Sequence, residues 1–489
     1  MPEQAFPATG PGTPIQERRF PLAFAVTVLL SVVLLVSTKS DVTQAGNETS
    51  RLAVVQSLVD GGTFAIDGSL FQTVDKVRID GRFYSDKPLL LSLCLAAVYW
   101  ALATLLGLSF ASHYHVVVFL VNALGMVPFV ILLFLVSSRV LAARGVSRNA
   151  AIGFSALLVL STWILSYGAT VNNHTPAAAL LMAVLWLGEC ARKGPSFGRL
   201  FWLFFVLGLL LNVEIPFGAI AICVYGATVL LALPGRRRFD GLAAIGSGLL
   251  VPAMLMAGLN WLAHGNILPA YMVRGAYDFP GNIHSGGVAG LREAPNVLLY
   301  AWHTTFGCRG VFSYMPALLL AVPWVVSGWR SMSRNDVAAL LVVVLAFLFY
   351  FKATGDYGGW AYGFRFMIPA VPVLWIYSCL WIHRRWHSAW RPVFLLCVGV
   401  GVLTSAIGAY NPWPVCDEGA STASGSADRQ FKCAFTANAL AFTYEYWPDS
   451  ILFRVLCNRV YTPDLTVQYL KRAFRNMRKY ELAVGAPPG

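Results

Sequence analysis

The sequence is short of charge. Only 12% of its 489 residues are Asp, Glu, Lys or Arg, while 57% are hydrophobic; soluble domains carry roughly 25% charge. A chain of this make-up cannot cover itself with polar side chains, which excludes a water-soluble globular fold. The alternating pattern of a membrane β-barrel is missing as well, so the α-helix is left as the way to satisfy backbone polar groups in lipid. There is no P-loop and no dinucleotide-binding glycine fingerprint, so no segment is shaped to cradle a nucleotide phosphate. The nine cysteines include no CxxC pair and no zinc-finger spacing, which argues against a structural metal module. No internal repeat stands out; the Pro/Gly-rich start MPEQAFPATGPGTP reads as a disordered tail.

What the sequence has is apolar runs. Residues 22–38, 115–136, 149–168, 174–191, 199–213, 215–233, 241–262, 311–328, 337–352, 366–383 and 393–410 approach or reach the roughly 17–25 residues that cross a hydrocarbon core. The formal charge of +13 does not point to nucleic acid, because Lys and Arg fall in short clusters between these runs. They are an orientation signal. Residues 22–38 follow Arg18 and Arg19 and lack a small-residue cleavage pattern, so they read as an uncleaved signal anchor.

Residues 88–107 are equally apolar, yet counting them as a span puts SRVLAARGVSR, ARKGPSFGR, GRRR, RSMSR and HRRWHSAWR all on the outside. Keeping 88–107 as a juxtamembrane or re-entrant segment makes all five clusters cytoplasmic and leaves YGATVNNHTP and LNVEIP, which have no Lys or Arg, external. The expectation is an all-α polytopic membrane protein of about 11 spans. Residues 1–21 form a cytoplasmic tail, 22–410 the membrane module with external loops at 39–114 and 263–310, and 411–489 an external C-terminal region. The protein is placed in the cell (inner) membrane, multi-pass, with its N-terminus cytoplasmic and its C-terminus extracytoplasmic.

In the first external loop, Leu52, Val55 and Leu58 recur at helical spacing behind Glu48 and Arg51, predicting a short interfacial helix over 48–58 with Asn47 as its N-cap. Glu48 there has a plain reading as a first-turn dipole partner. Two extended stretches are expected around GTFAID and GRFYSDKP, and Pro88 biases Lys87 to extended backbone. Cys94, Cys190, Cys223, Cys379 and Cys397 sit in apolar runs and read as small buried hydrophobes. Cys416 and Cys433 flank the polar stretch DEGASTASGSADRQFK; outside the cytoplasm they would close a loop as a disulfide, with Cys457 as the other candidate partner.

The stretches NETSRLAVVQSLVDGG and DGRFYSDKPLL, and later ATGDYGGWAYGFRFMIPAVPVL, resemble the first external loop and a later motif of GT-C type membrane glycosyltransferases. The likeness is greatest to the family of the lipid A aminoarabinose transferase and the protein O-mannosyltransferases. The resemblance implies a GT-C-like bundle and the transfer of a sugar from a polyprenyl-phosphate carrier to an acceptor hydroxyl on the outer face, with inversion. The partners implied are that donor, a lipid, glycan or protein acceptor, and membrane lipids. Such chemistry needs cations for the departing phosphate and a base for the acceptor proton. Lys87, Arg51 and Arg365 suit the first role, with Tyr84, Asp86 and Trp360 beside them. The family's first aspartate is replaced here by Asn47, which cannot take a proton. The base then falls to Glu48, to Asp41, or to His174, which with Asn173 stands where the family's second external loop has an acid.

Glu214, an acid between two apolar runs, is a functional hypothesis in its own right. No cofactor is required; a divalent ion on Asp86 with His264, His284 or His303 is implied only by the resemblance, since their spacing is not that of a ligand set. Two other readings compete. A transporter or flippase would need charged or broken helices at mid-membrane, whereas these spans are nearly free of charge. A GT-C-like protein with altered or lost catalysis is suggested by Asn47.

Overall fold

The computed structural model describes residues 21–42, 45–235, 238–282, 296–355, 357–414, 433–457, 470–471 and 474. The expected N-terminal tail, Cys416 and His284 lie outside the described residues. Helix α1 (Pro21–Ser37) is followed by a short polar unit: α2 (Gly46–Gly61), a hairpin of β1 (Lys76–Ile79) and β2 (Arg82–Ser85), and α3 (Leu89–Leu106). Next come α4 (Tyr114–Ala143), α5 (Arg148–Leu160), α6 (Trp163–Tyr167), α7 (His174–Lys193), α8 (Phe197–Val213), α9 (Ile215–Ala232) and α10 (Arg238–His264). The chain then runs through α11 (Val297–Thr305), α12 (Val311–Tyr314), α13 (Ala321–Gly328), α14 (Arg334–Ala353), α15 (Val371–Arg384), α16 (Trp390–Tyr410), α17 (Ala434–Tyr446) and α18 (Ile451–Val455).

Among the described residues eight segments are long and apolar enough to cross a membrane, and Leu89–Leu106 is one of them by length and composition. Several expected spans are interrupted. The run 149–168 is split into α5 and α6 by Ser161 and Thr162, whose hydroxyls donate to carbonyls of the preceding turn and so compete with a regular ladder. The run 311–328 is divided into α12, a 3-10 turn over Pro316–Leu320 and α13.

The two ends of the bundle differ in chemistry. At one end Arg144, closing α4, meets Asp336, opening α14, at 2.6 Å, and Asp336 also accepts from Tyr377 at 3.1 Å and from the Ser333 backbone at 3.0 Å. Glu189 pairs with Arg192 at 2.6 Å at the same end of α7. A single carboxylate thus caps a helix, holds a buried guanidinium and receives a buried phenol. Replacing it strands all three, so Asp336→Ala should destabilise the protein by about 3–5 kcal/mol, read as a fall in thermal unfolding temperature in detergent, while the more conservative Asp336→Glu should fall less.

The opposite end carries α2 and the hairpin. There the residues leaving α1 touch those starting α4: the Tyr114 hydroxyl donates to Asp41 at 2.9 Å, His115 Nδ1 to the Ser40 carbonyl at 3.0 Å, and Asn122 to the Lys39 carbonyl at 2.9 Å. The whole of 42–113, α3 included, therefore leaves and returns at one end of the bundle. An α-helix of 18 residues is about 27 Å long. A lone crossing by α3 would put the start of α4 that far from α1's exit; instead α3 lies on α2, with Tyr99 donating to Asp60 at 2.9 Å and receiving the Phe110 N–H at 3.2 Å.

The local expectations are partly revised. The helix after the first span begins at Gly46 with Ala45 as its N-cap, so Asn47 is inside the first turn and its side chain is free for a tertiary partner. The first extended stretch is KVRI, residues 76–79, rather than GTFAID. It pairs antiparallel with 82–85 around Asp80 (φ 48) and Gly81 (φ 84), both left-handed as a tight two-residue hairpin turn requires.

Candidate functional site

Helix α2 is unusual in burying its polar residues: Asn47, Glu48, Thr49, Ser50 and Arg51 are all at most 5% exposed. Gly46 makes this possible, since a Cβ there would sit 2.4 Å from the Asp75 carboxyl carbon. Ser50 donates to the Asp75 carbonyl at 2.6 Å and shares a hydrogen bond with Ser85 at 2.6 Å. The hairpin is thereby fixed to α2, and its second strand delivers Asp86 and Lys87 to the same place. Lys87 Nζ lies 2.8 Å from Asp75 and 3.1 Å from Asp86, and Tyr277 donates to Asp86 at 3.3 Å.

Burial pushes the Lys87 ammonium down, but Asp75 and Asp86 outweigh it and hold it above the ordinary lysine value. Burial pushes Arg51 down to about 10, against the pull of Glu214, Asp86 and Asp75, so it stays a cation at neutral pH. Arg51 donates to Asn47 Oδ1 at 3.2 Å and to the Pro88 carbonyl at 3.4 Å. Arg365 shares this field, adding its charge at both Arg51 and Lys87. It leaves the loop containing Gly358 (φ 91), Gly359 (φ 66) and Gly363 (φ 81), with its guanidinium 5.2 Å from the Trp413 ring centroid. Its Nε is buried with no partner among the described residues, a donor left for an anion. The loop is braced from beneath by the buried Arg309, which donates to the Gly359 and Ala361 carbonyls at 3.1 and 2.5 Å.

The acids divide into two groups. Glu48 accepts from Thr170 at 2.5 Å, and the nearby Lys39 is pushed down to about 8 by burial despite Glu48. Asp41 accepts from Tyr114 and from the Val42 N–H. Glu214 is different: it sits in the extended break between α8 and α9, receives Tyr350 at 3.1 Å and Asn173, and lies 3.0 Å from His174 Nδ1. Asn173 Oδ1 in turn accepts from Asn47 at 3.3 Å. Hydrogen bonds and a close ion pair link Asn47, Arg51, Asn173, Glu214 and His174, the Asp86–Lys87 pair stands beside them, and Arg365 acts on Arg51, Lys87 and His174 through its charge. Trp360 is on the same loop as Arg365, 39% exposed, and Tyr84 points instead to the cluster of Val77, Ala276 and Tyr277 and to the His264 ring at 5.8 Å.

Sequence reading passed over Asp75, Tyr277, Thr170, Tyr350, Trp413 and Arg309. None carries a local signal: each reaches the network from another element. Glu214 did carry one, an acid between two apolar runs just before a proline. The divalent-ion expectation is not supported. Among the described residues no three His, Cys, Asp or Glu side chains gather to hold a metal; Asp86 is engaged by Lys87 and Tyr277, and His303 packs on Tyr357 at 6.1 Å. The Cys433 thiol donates to the Cys308 carbonyl at 3.4 Å.

No protein-family model matches the chain, and no curated protein does. Solved structures do. ArnT from Cupriavidus metallidurans, bound to undecaprenyl phosphate, matches with a TM-score of 0.52 at 14% identity over 93% of this chain and 75% of that one; its apo form gives 0.50 at the same identity and coverage. An oligosaccharyltransferase from Archaeoglobus fulgidus in the apo form follows at 0.48 and 12% identity, over 88% of this chain and 59% of that one. The chain shares the polytopic helical membrane fold of the ArnT structures.

Proposed function

We propose that this protein is a glycosyltransferase of the GT-C type that moves a sugar from a polyprenyl-phosphate carrier to an acceptor hydroxyl, with inversion, at the outer face of the cell membrane. The observation that carries this reading is the meeting of three cations, buried Arg51 and half-buried Lys87 and Arg365, beside Glu214 and His174 at one end of the bundle. The fold is shared with a protein whose crystal structure contains undecaprenyl phosphate. Cations alone suit any anion. Cations beside a proton acceptor, at the level where helices end, suit a lipid-linked phosphate that must depart as a hydroxyl attacks.

Sidedness follows from charge. The end with Arg144, Arg192 and the other basic clusters is the cytoplasmic one, so the hairpin end is external, as is the C-terminal region beside it. The contact of Asp41 and Ser40 with Tyr114 and His115 supports about 11 crossings with α3 lying along the outer surface. A single cysteine at Ser112, exposed between α3 and α4, should react with an impermeant maleimide from outside sealed cells. Labelling only after permeabilisation would sink this topology.

The activity is tested with purified protein in liposomes given radiolabelled undecaprenyl-phosphate sugars and a panel of lipid, glycan and peptide acceptors. Release of undecaprenyl phosphate coupled to acceptor labelling is expected. Movement of the intact donor across the bilayer with no covalent product would replace this reading by a flippase.

A further inference from the structure

The proposed reaction needs a proton acceptor, and the residue at the family's first acidic position is Asn47. Asn47 is tied through Asn173 to a second place where a base can act. Glu214 is 6% exposed and His174 2% exposed. The His174 Nδ1 is 3.0 Å from Glu214 Oε2, an ion-pair distance without regular hydrogen-bond alignment, and its Nε2 is buried with no partner among the described residues. Tyr350 and Asn173 occupy the remaining acceptor sites of the carboxylate, so Glu214 is held in one orientation. A carboxylate on one ring nitrogen fixes the tautomer with its proton there and leaves the other nitrogen as an acceptor.

We infer that His174, oriented by Glu214, is the general base of the transfer. This rests on the proposed glycosyl transfer. The acceptor hydroxyl oxygen bonds to the anomeric carbon as the bond from that carbon to the phosphate oxygen breaks. The electron pair leaves with polyprenyl phosphate, held by Lys87 and Arg365, and the hydroxyl proton passes to His174 Nε2. The resulting imidazolium is stabilised by the Glu214 carboxylate. The charged groups facing His174 are Glu214, Arg365 and Arg51, and the anionic phosphate offsets the two arginines when the carrier is bound. Glu214 is a positioning residue in this scheme.

His174→Gln should lower single-turnover transfer by about 10²–10⁴-fold while undecaprenyl phosphate still binds within a few-fold of wild type. Glu214→Gln should lower transfer and move the acidic limb of the pH–rate profile, which a purely structural role would leave in place. Imidazole should partly restore His174→Gly. If His174→Gln transfers sugar within a few-fold of wild type while Glu48→Gln or Asp41→Asn is inactive, the base is one of those acids and the assignment fails. Wild-type protein that binds undecaprenyl phosphate and transfers nothing would instead remove the reaction and the inference with it. His174→Asn, tested for binding and thermal stability, separates a lost base from a lost fold.

Independently, the outer end of the bundle brings two cysteines together. Cys433, the N-cap of α17, points its thiol at residue 308, in the turn between α11 and α12. The same turn is fastened by Tyr314, which donates to the Cys308 carbonyl at 2.8 Å and receives the Phe435 N–H at 3.0 Å. The Cys433 sulfur lies 3.4 Å from the carbonyl oxygen of Cys308 itself. We further infer that Cys308 and Cys433 form a disulfide, replacing the Cys416 and Cys457 pairings that the sequence suggests. An oxidised dithiol oxidoreductase of the outer compartment is the electron acceptor: its disulfide is reduced to two thiols as the two cysteine thiols lose two protons and two electrons to form the S–S bond. The bond would join α17 to the turn that presents Arg309 and so to the Arg365 loop. In protein denatured without reductant, Cys308 and Cys433 should resist maleimide until reduced, and a peptide pair joined by them should appear by mass spectrometry. Cys308→Ser should make Cys433 reactive without reductant. Reaction of both thiols in unreduced wild type, or continued protection of Cys433 in Cys308→Ser, would overturn the pairing.

Discussion

Arg365→Ala should weaken undecaprenyl phosphate binding by roughly 10- to 150-fold, the equivalent of about 1.5–3 kcal/mol for a hydrogen bond to a charged group, and the double variant with Lys87→Ala should leave no measurable binding or transfer. The two cations differ in what their loss exposes. Arg365 has a buried Nε with no partner among the described residues and lies over the Trp413 ring, so its removal deletes a donor without breaking an ion pair among them. Lys87 is bound by Asp75 and Asp86, and Lys87→Ala leaves two carboxylates pointing at an arriving phosphate. The second variant should therefore lose more affinity, and also stability. Its pH dependence has a definite sign: a lysine held above its unfolded value contributes fully below that value and is lost only as pH rises through the folded one. Carrier binding should thus persist through mildly alkaline pH, and should weaken with added salt only modestly because the charges are half-buried. Binding measured by scintillation proximity or intrinsic tryptophan fluorescence checks each statement, and undiminished affinity in the double variant would remove this cluster as the phosphate site.

Gly363→Ala should be the most damaging single methyl in the protein. Gly363 has φ +81, and a Cβ there would lie 2.2 Å from Trp163 Cζ2 and 2.6 Å from Cε2. Trp163 is fully buried in the main core beside Tyr314, so the ring has nowhere to go. The left-handed backbone costs about 1–3 kcal/mol and the overpacking a similar amount, for a total of about 2–5 kcal/mol. Because Arg365 is two residues away, the variant should lose affinity for the carrier phosphate even in the fraction that folds. Gly399→Ala, on α16 with open space where its Cβ would go, is the matched control and should change neither unfolding temperature nor affinity. Equal behaviour of the two variants would show that the loop is softer than its packing indicates.

Much of the architecture was legible because it rests on repetitive properties. Long apolar runs with Arg and Lys placed between them expose which segments are helical. The resemblance of DGRFYSDKPLL to a GT-C loop likewise put Asp86 and Lys87 at the centre of attention. Local signals misled where the determinant was a tertiary partner. Asn47 looks like a cap, but Ala45 is the cap and Asn47 turns inward to Asn173 and Arg51. GTFAID looks extended, yet KVRI forms the strand, because Arg78 donates its N–H to the Ala276 carbonyl at 2.7 Å and Val77 is covered by the 270–277 segment.

The sequence by itself determined that this is a multi-pass helical membrane protein, and it singled out the segments that carry Lys87 and Arg365. Those properties are sums over many residues, and hydropathy and charge add without regard to where the chain goes. Only the tertiary structure decided which acids and cations meet. It joined Glu214 from the α8–α9 break to His174, Asp75 to Lys87, and Cys308 to Cys433 across 125 positions. Hydrogen bonds and ion pairs act over a few ångströms, and contacts of that range are made by the packing of distant segments, which no local pattern of residues records.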